Sequence, residues 1–295
     1  MGLETLATRR VAANGLEFEI LEAGEGPLAI CLHGFPDQAR SWTGLIERLA
    51  GEGFHAVAPA LRGYAPTGAA PDGCYQPWAT GSDALALIEA LGYETAMVIG
   101  HDWGAAAAYA AATLAPERID RLVTLSVPYG PQLLGAFLAD GDQQRRSWYM
   151  FYFQLPFAEA AVALNDFAFI DRLWAEWSPG YELPPEERAA LKAMFGKPGV
   201  VEQALAYYRQ TFSPSAMKAE WAPMAAKASG PIAVPTLYLH GLDDGCMGAY
   251  LSEGMESQFT GGFEKVMVEK AGHFLHLEQP RVVGDAIVRF LRTAA

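Results

Sequence analysis

The chain has 295 residues, of which 51% are apolar and 19% are charged, and its formal net charge is -13. This length and composition predict one globular domain, or a core domain that carries an insertion, and exclude a chain that is disordered throughout. The negative charge, without any run of basic residues, excludes nucleic acid and anionic membrane surfaces as partners.

The start of the chain and its cysteines indicate in which cellular compartment the protein is expected. The first residues carry an acid early and lack the apolar stretch of a secretory signal. The longest run of small apolar residues, 104–112, is too short to span a bilayer. Three widely spaced cysteines, Cys31, Cys74 and Cys246, fit a reducing compartment better than a disulfide framework or a zinc site. We therefore expect a cytoplasmic protein that uses no metal and no cofactor.

The first half of the chain alternates short apolar runs with helical stretches. The runs predicted as strands lie at 15–21, 28–32, 54–58, 96–99 and 122–126. The stretches predicted as helices lie at 41–50, 85–91 and 104–115. Strands that alternate with helices in this way predict a mostly parallel sheet that is covered by helices on both faces.

This alternation stops at Pro128 and resumes after Pro231. The chain between them is rich in aromatic residues and is predicted to form helices separated by prolines. Beyond it we predict strands at 236–240 and 263–268 and helices at 248–259 and 281–291. The simplest interpretation is an α/β core of residues 1–128 and 230–295, with residues 129–229 inserted as a helical lid.

The turn Gly100-His101-Asp102-Trp103-Gly104 follows a predicted strand and opens a predicted helix. Its glycine spacing is typical of a nucleophile elbow, in which a strained turn lifts one side chain above the edge of the sheet. Small residues are needed on both sides because the helix must approach the strand closely. The lifted residue is Asp102, where a serine hydrolase carries serine. A turn in which Asp102 only caps the helix has the same pattern, so this motif alone leaves both interpretations open.

Three further motifs lie where the partners of such an elbow are expected. The candidate oxyanion donors are the N–H of Phe35, in the HGFP segment after the predicted strand at 28–32, and the N–H of Trp103. Asp243 and Asp244 follow a later strand and supply the acid, and His273 follows the last strand. The order nucleophile, acid, histidine is the one that such a site requires.

With these motifs the chain resembles the epoxide hydrolases of the α/β-hydrolase superfamily over essentially its full length. The matching pieces are HGFPD at 33–37, RGYAPT at 62–67, GHDWGA at 100–105, DD at 243–244 and GHF at 272–274. The resemblance implies an α/β-hydrolase fold in which Asp102 is the nucleophile and His273 activates water. It also implies that a carboxylate orients His273, with Asp244 at the matching position and Asp243 as the alternative.

The predicted lid carries a second part of the resemblance. Epoxide hydrolases place one tyrosine in a Y-x-x-x-F-Q stretch, which residues 149–154 reproduce, and a second tyrosine just before an arginine, as at 207–209. The resemblance therefore implies Tyr149 and Tyr208 as the catalytic pair, with Tyr152 and Tyr207 as neighbours that could be confused with them. An alternative is that these tyrosines only pack, since aromatic side chains dominate such surfaces.

The implied reaction uses all of these groups. Asp102 attacks an epoxide carbon and forms an ester, the two tyrosines protonate the oxygen, and water activated by His273 hydrolyses the ester. We expect a small, largely apolar epoxide as the substrate, with water as the second reactant, because the lid is aromatic. The substrate-binding residues that we expect are His33, Pro36, Trp103 and Gln154.

Two other functions are open at this point. A haloalkane dehalogenase uses the same set of aspartate, histidine and acid, and Trp103 could bind the leaving halide. However, many dehalogenases have asparagine where Phe35 stands, fluoroacetate dehalogenases commonly have arginine where Trp103 stands, and neither explains the lid tyrosines. A non-catalytic ligand-binding homologue is more remote, because it need not keep Asp102, Asp244 and His273 together. The sequence leaves the oligomeric state open, a homodimer included.

Overall fold

Eight strands form one sheet in the part of the chain that this computed structural model describes, residues 6–212 and 218–293. The strands are β1 (Ala7–Ala13), β2 (Leu16–Ala23), β3 (Leu28–Leu32), β4 (His55–Pro59), β5 (Ala96–His101), β6 (Ile119–Leu125), β7 (Thr236–Gly241) and β8 (Phe263–Val268). Their order across the sheet is β1-β2-β4-β3-β5-β6-β7-β8. β1 pairs antiparallel with β2, and β2 with β4, whereas every pair from β4 to β8 is parallel. The predicted mostly parallel sheet is confirmed, and β1 is an edge strand that the sequence analysis did not identify.

Side chains on the two faces of the sheet form two separate apolar cores. Alternate residues of a strand point to opposite faces. Ile30 and Val98 therefore belong to one core, while their neighbours Cys31 and Ile99 belong to the other. β3 and β7 are buried along their whole length. This burial on both faces explains the continuous apolar run at 28–32, and it fixes the ends of the central strands at one edge of the sheet.

Helices flank the sheet. They are α1 (Thr43–Gly51), α2 (Pro77–Ala90), α3 (Trp103–Leu114), α4 (Gln132–Ala139), α5 (Gly141–Arg146), α6 (Trp148–Tyr152), α7 (Ala158–Trp177), α8 (Pro185–Phe195), α9 (Val200–Phe212), α10 (Ala222–Lys227), α11 (Leu275–Glu278) and α12 (Pro280–Arg292). α3 is the buried, alanine-rich helix that the sequence predicts after the elbow. Across the described residues, no helix combines the length and the apolar character that crossing a membrane needs.

The chain between β6 and β7 carries α4 to α10, in the interval of the predicted lid. Hydrogen bonds join this segment to the core. The indole of Trp174 donates to the carbonyl of Pro36 at 2.9 Å, and the hydroxyl of Tyr207 donates to the carbonyl of Arg62 at 2.8 Å. Since Pro36 and Arg62 follow β3 and β4, the inserted helices lie at the carboxyl ends of the parallel strands. The lid boundaries at 129 and 229 stay a prediction.

One predicted helix is wrong. Residues 248–259 contain two short 3-10 turns, Ala249–Ser252 and Met255–Gln258, instead of a helix. Gly254, between the two turns, has a φ of 75°. This left-handed conformation, which glycine adopts readily, cannot continue a right-handed helix.

Candidate active site

Asp102 stands on the turn between β5 and α3. Its φ of 53° and ψ of -119° are unusual for a residue other than glycine and turn the chain sharply from strand to helix. A Cβ on Gly100 would lie 2.1 Å from the carbonyl oxygen of Gly104, and a Cβ on Gly104 would lie 2.0 Å from that of Leu32, so both positions require glycine. The Asp102 side chain makes no capping hydrogen bond to α3. The structure thus favours an elbow over a simple helix cap.

The loop after β3 holds one oxygen of Asp102. The N–H of Phe35 donates to Oδ1 of Asp102 at 2.8 Å. This close approach depends on Gly34, where a Cβ would lie 2.3 Å from the same oxygen. Trp103 is the first residue of α3, so its N–H has no acceptor within the helix. Phe35 therefore already acts as a donor to Asp102, and the N–H of Trp103 stays the predicted second donor.

His273 lies between Asp102 and Asp244. Its Nδ1 is 2.9 Å from Oδ2 of Asp244, and its Nε2 is 3.5 Å from Oδ2 of Asp102. The other oxygen of Asp244 accepts hydrogen bonds from the backbone N–H groups of Cys246 and Met247, at 2.7 and 2.9 Å. These bonds fix the Asp244 carboxylate, which in turn fixes the orientation of the imidazole. The structure brings the three residues together in the arrangement of a catalytic triad.

Neighbouring charges set the protonation of this group. Burial by itself lowers the pKa of His273, but the acidic groups around it, Cys246, Asp244 and Asp102, outweigh burial and hold that pKa well above its ordinary value. The carboxylates dominate among these, because burial raises the pKa of the Cys246 thiol and keeps it neutral. Burial also opposes a charge on Asp244, but the positive charge of His273 outweighs it and holds the pKa of Asp244 well below its ordinary value. The resting site therefore pairs a protonated His273 with an ionised Asp244.

Tyr149 and Tyr208 lie next to each other beside the elbow. Their rings are nearly perpendicular, with centroids 5.6 Å apart, and the ring of Tyr208 also packs on Trp103 at 4.9 Å. The hydroxyl of Tyr149 is 3.3 Å from Sγ of Cys246, whereas that of Tyr208 faces the indole of Trp103 without a full hydrogen bond. Burial raises the pKa of both phenols well above the ordinary value, and the nearby Asp102 acts in the same direction. Both phenols therefore keep their protons at neutral pH.

The two neighbouring tyrosines have other contacts. The hydroxyl of Tyr207 is bound to the carbonyl of Arg62. Tyr152 is half-buried and stacks on Phe169 with ring centroids 5.6 Å apart. The ring of Tyr207 also packs on Trp103, with centroids 5.6 Å apart, but its hydroxyl is engaged by Arg62. Among these four tyrosines, Tyr149 and Tyr208 are the pair whose pKa is raised by burial and also by the nearby Asp102.

A cavity of about 550 Å³ opens onto Asp102. Trp103 and Tyr208 also lie in its wall, and Tyr149 packs behind Tyr208. Much of the remaining wall is apolar and is formed by residues such as Pro77, Val127, Leu133, Leu134, Phe137, Met150 and Phe212. Among the described residues of the wall, Asp102 is the only one with a carboxylate, an ammonium or a guanidinium group. The cavity suits an uncharged, largely apolar molecule.

The structure places the other predicted site residues outside the wall of this cavity. Both ring nitrogens of His33 bind backbone groups, at 3.0 and 3.1 Å, so the ring joins loops and has no nitrogen left for a ligand. Pro36 offers its carbonyl to Trp174 of the inserted segment. Gln154 is exposed and donates to a backbone carbonyl within α6. Asp243, the alternative acid, is exposed and does not approach His273.

Two side chains without a predicted role hold the backbone of His273. The hydroxyl of Ser126 donates to the carbonyl oxygen of His273 at 2.7 Å, and Nε2 of His101 donates to the same oxygen at 2.9 Å. His101 belongs to the elbow motif, its ring was expected to point into the core, and it is fully buried. Ser126 follows β6 in a left-handed conformation with a φ of 67°, and no motif marks it.

Comparison with known proteins shows which family the chain is similar to. The profile of the alpha/beta hydrolase fold family matches residues 27–280 of the chain. Epoxide hydrolase 4 of Mus musculus is 30% identical over 292 residues, which cover 96% of this chain and 78% of that protein. An epoxide hydrolase of Caballeronia sordidicola is 28% identical over 316 residues, which cover 96% of this chain and 93% of that protein.

Solved structures are similar along nearly the whole chain. An epoxide hydrolase from Vigna radiata is 28% identical and has a TM-score of 0.82, with 99% of both chains covered. A laboratory-evolved variant of a potato epoxide hydrolase is 27% identical with a TM-score of 0.82, and the match covers 98% of this chain and 99% of that one. The matches therefore cover the segment between β6 and β7 as well as the sheet.

Proposed function

The chain belongs to the alpha/beta hydrolase fold family and, within it, to the epoxide hydrolases, and we propose that it opens epoxides to vicinal diols through a covalent ester on Asp102. The observation that carries this proposal is the setting of Asp102. One of its oxygens is held by the N–H of Phe35, and the other faces His273. Two protonated phenols, Tyr149 and Tyr208, lie beside the same turn. A carboxylate can attack carbon, and a phenol can protonate the oxygen that leaves.

In the first step, Oδ2 of Asp102 attacks one carbon of the epoxide, since Oδ1 is engaged by the N–H of Phe35. A bond forms between Oδ2 and that carbon, and the bond between the carbon and the epoxide oxygen breaks. The oxygen keeps the electron pair and takes a proton from Tyr208 or Tyr149. General acids of this kind contribute about 10²–10⁴-fold to a rate.

The ester changes the charge around His273. Ester formation removes the negative charge of Asp102, which is one of the influences that raise the pKa of His273. The imidazolium then returns a proton to the tyrosinate, which restores the phenol and leaves His273 neutral. In this form His273 can act as a base, with Asp244 holding the tautomer that presents Nε2 to water.

In the second step, water attacks the carbonyl carbon of the ester while His273 takes its proton. Negative charge develops on Oδ1 of Asp102, where the N–H of Phe35 and the predicted donor Trp103 stabilise it. Cleavage of the bond between the carbonyl carbon and the alkyl oxygen releases the diol, whose alkoxide oxygen takes the second proton of the attacking water. The Asp102 carboxylate and the His273 imidazolium are restored, so the net reaction adds one water to one epoxide.

Haloalkane dehalogenation is the second candidate, and one observation favours it. The indole N–H of Trp103 is buried beside the nucleophile without a full hydrogen bond, as a halide ligand would be. A halide leaves without a proton, however, so dehalogenation gives no chemical role to Tyr149 and Tyr208. The epoxide reaction uses both phenols and explains more of the site.

Turnover on a mixed panel of epoxides and haloalkanes, with diol and halide measured in parallel, separates the two candidates. Asp102→Asn is the matched control, because it keeps the shape of the side chain and removes the nucleophilic carboxylate. Diol without halide, absent in the control, supports the proposal. Halide without diol would replace it with dehalogenation and make Trp103 a halide ligand.

A further inference from the structure

A second cluster of titratable groups lies outside the reaction described above. Asp37, His101 and His276 each offer one ligand atom, and these atoms lie within 4.8 Å of one another. All three residues are buried, with 2%, 0% and 6% of their surfaces exposed. The cluster stands directly behind the catalytic histidine, because the ring centroids of His101 and His273 are 4.7 Å apart.

The hydrogen bond of His101 decides which of its nitrogens carries the proton. Nε2 donates to the carbonyl oxygen of His273, which can only accept, so Nε2 is protonated. Burial lowers the pKa of His101 to about 3, so the ring is neutral at physiological pH. Its Nδ1 therefore carries a lone pair, and no described residue donates a hydrogen bond to it. Metal-bound histidines have this arrangement, with one nitrogen donating to a carbonyl and the other facing the ion.

The other two members differ in their hydrogen bonds. Neither ring nitrogen of His276 has a hydrogen-bond partner among the described residues, and its ring stacks on Trp42 with centroids 4.5 Å apart. Burial, and after it the neighbouring histidines, lower the pKa of His276 well below its ordinary value, so this ring is neutral as well. Asp37 accepts a hydrogen bond from the hydroxyl of Ser41 at 2.7 Å. Burial raises the pKa of Asp37 to about 7, while the hydrogen bonds from Ser41 and from the backbone of Gln38 act in the opposite direction.

We propose that Asp37, His101 and His276 bind a divalent transition-metal ion such as zinc. Two imidazole nitrogens and a carboxylate oxygen form a donor set that zinc takes in proteins. Around a tetrahedral ion with bonds of about 2.1 Å, ligand atoms are roughly 3.4 Å apart. The three ligand atoms, which now lie within 4.8 Å of one another, must therefore move slightly closer together. The ring of His276 can make this movement because it has no hydrogen bond to break.

One member of the cluster borders a cavity. Asp37 and Ser41 lie in the wall of a second cavity of about 400 Å³, on the side of the core that faces Trp174 and Tyr181 of the inserted segment. An ion could enter from this cavity, and a water molecule in it could serve as the fourth ligand. The sequence did not indicate a metal site because the three ligands come from separate loops and show no ligand spacing.

Another set of possible ligands lies in the catalytic triad itself. Asp244, Cys246 and His273 also place one ligand atom each within 4.8 Å. These ligand atoms already have partners. Asp244 accepts hydrogen bonds from two backbone N–H groups and from His273. Sγ of Cys246 contacts the hydroxyl of Tyr149. An ion there would have to break those bonds, whereas Nδ1 of His101 and both ring nitrogens of His276 have no hydrogen-bond partner among the described residues.

A metal ion bound at this cluster would link the three loops that contain Phe35, Asp102 and His273. Asp37 is two residues after Phe35, His101 precedes Asp102, and His276 is three residues after His273. An ion bound only by the folded chain stabilises it in proportion to the logarithm of its concentration. Zinc should therefore raise the Tm, and it should do so in the absence of any substrate.

Zinc alone, added to protein that has been treated with a chelator and dialysed, tests the proposal. We expect one zinc ion per chain by equilibrium dialysis and a Tm that rises with zinc concentration. Asp37→Asn and His276→Asn should each weaken binding by at least about 10-fold and abolish the rise. His55→Asn is the matched control, because His55 also contacts a carboxylate, that of Glu22, but lies far from the cluster. It should bind zinc like the wild type.

Because Asp37→Asn and His276→Asn replace different ligands, the test still works if one of these variants does not fold. The Tm of each variant without zinc shows whether it is folded. Failure of the wild type to bind one zinc per chain would overturn the proposal and leave the cluster as a site for buried water. So would undiminished binding by Asp37→Asn and His276→Asn. Loss of binding in Cys246→Ser would also overturn it, because the ion would then lie in the catalytic triad. None of these measurements depends on epoxide turnover.

Discussion

The backbone N–H of Phe35 donates a 2.8 Å hydrogen bond to Oδ1 of Asp102, so the proposed nucleophile rests with one oxygen already in the position where the proposed ester would carry negative charge. Oδ2, which is 3.5 Å from Nε2 of His273, is left as the attacking atom. In the proposed mechanism, the same donor orients the carboxylate in the first step and stabilises the oxyanion in the second. A single donor of this kind typically contributes about 10²–10³-fold to the rate.

Gly34→Ala should therefore abolish most of the activity. A Cβ at this position would lie 2.3 Å from Oδ1 of Asp102, so the carboxylate or the Phe35 N–H must move. We expect kcat/KM to fall by about 10²-fold or more. Gly44→Ala is the matched control, since a Cβ at Gly44 meets no atom within 4 Å, and it should leave kcat/KM unchanged. Wild-type kcat/KM in Gly34→Ala would contradict the assigned oxyanion site.

His273→Gln should separate the two steps of the reaction. The ester can still form on Asp102, but no base activates water, so the alkylated enzyme should accumulate. Intact-protein mass spectrometry should show an increase equal to the mass of the whole epoxide, because no group leaves when the ring opens. The double variant that also carries Asp102→Asn should show no adduct. If His273→Gln loses turnover without any adduct, His273 acts before the ester forms.

Replacing the two buried tyrosines tests the assignment of the acids. Tyr149→Phe and Tyr208→Phe should each slow ester formation, and the double variant should slow it by about 10²–10⁴-fold, the usual contribution of a general acid. Single-turnover kinetics of ester formation provide the measurement. Tyr152→Phe is the control for the same helix, because Tyr152 packs on Phe169 away from the elbow. An unchanged rate of ester formation in the double variant would show that the two tyrosines contribute only packing.

Asp37→Asn should stabilise the metal-free protein in a pH-dependent way. Burial raises the pKa of Asp37 to about 7 in the folded chain, from 3.8 for the free side chain. Between these two values the folded chain binds a proton that the unfolded chain has released, so the wild type loses stability as pH rises through this window. Asparagine does not titrate and avoids this loss, whose upper limit is on the order of 4 kcal/mol.

Urea unfolding with chelator present, at pH values on both sides of that window, measures this effect. The two proteins should be closest in stability near pH 4, and the advantage of Asp37→Asn should be complete above about pH 7. An advantage that does not change with pH would show that Asp37 is ionised in the folded chain throughout.

Motifs at strand ends could be placed from the sequence because parallel strands bring their carboxyl ends to one edge of the sheet. Asp102, Asp244 and His273 follow β5, β7 and β8, and the structure brings them within hydrogen-bonding or ion-pair distance. The order of the strands in the sheet then determines which loops become neighbours. This part of the site follows from local patterns and a general rule of topology.

Other features depend on contacts between distant segments and could not be predicted in that way. His33 was predicted to bind the substrate, but backbone groups bind both of its ring nitrogens. The contact of Tyr149 with Cys246 joins residues 97 positions apart, and no spacing indicates it. The predicted helix at 248–259 was wrong because Gly254 is left-handed there.

Single turnover in water that carries a heavy oxygen isotope tests the central claim most directly. With enzyme in excess over epoxide, the oxygen added to the substrate should come from Asp102, so the first diol should be unlabelled. The label should instead enter the Asp102 carboxylate and be found in the peptide that contains it. Label in the first diol, with none in Asp102, would mean that water attacks the epoxide directly and would contradict the covalent mechanism.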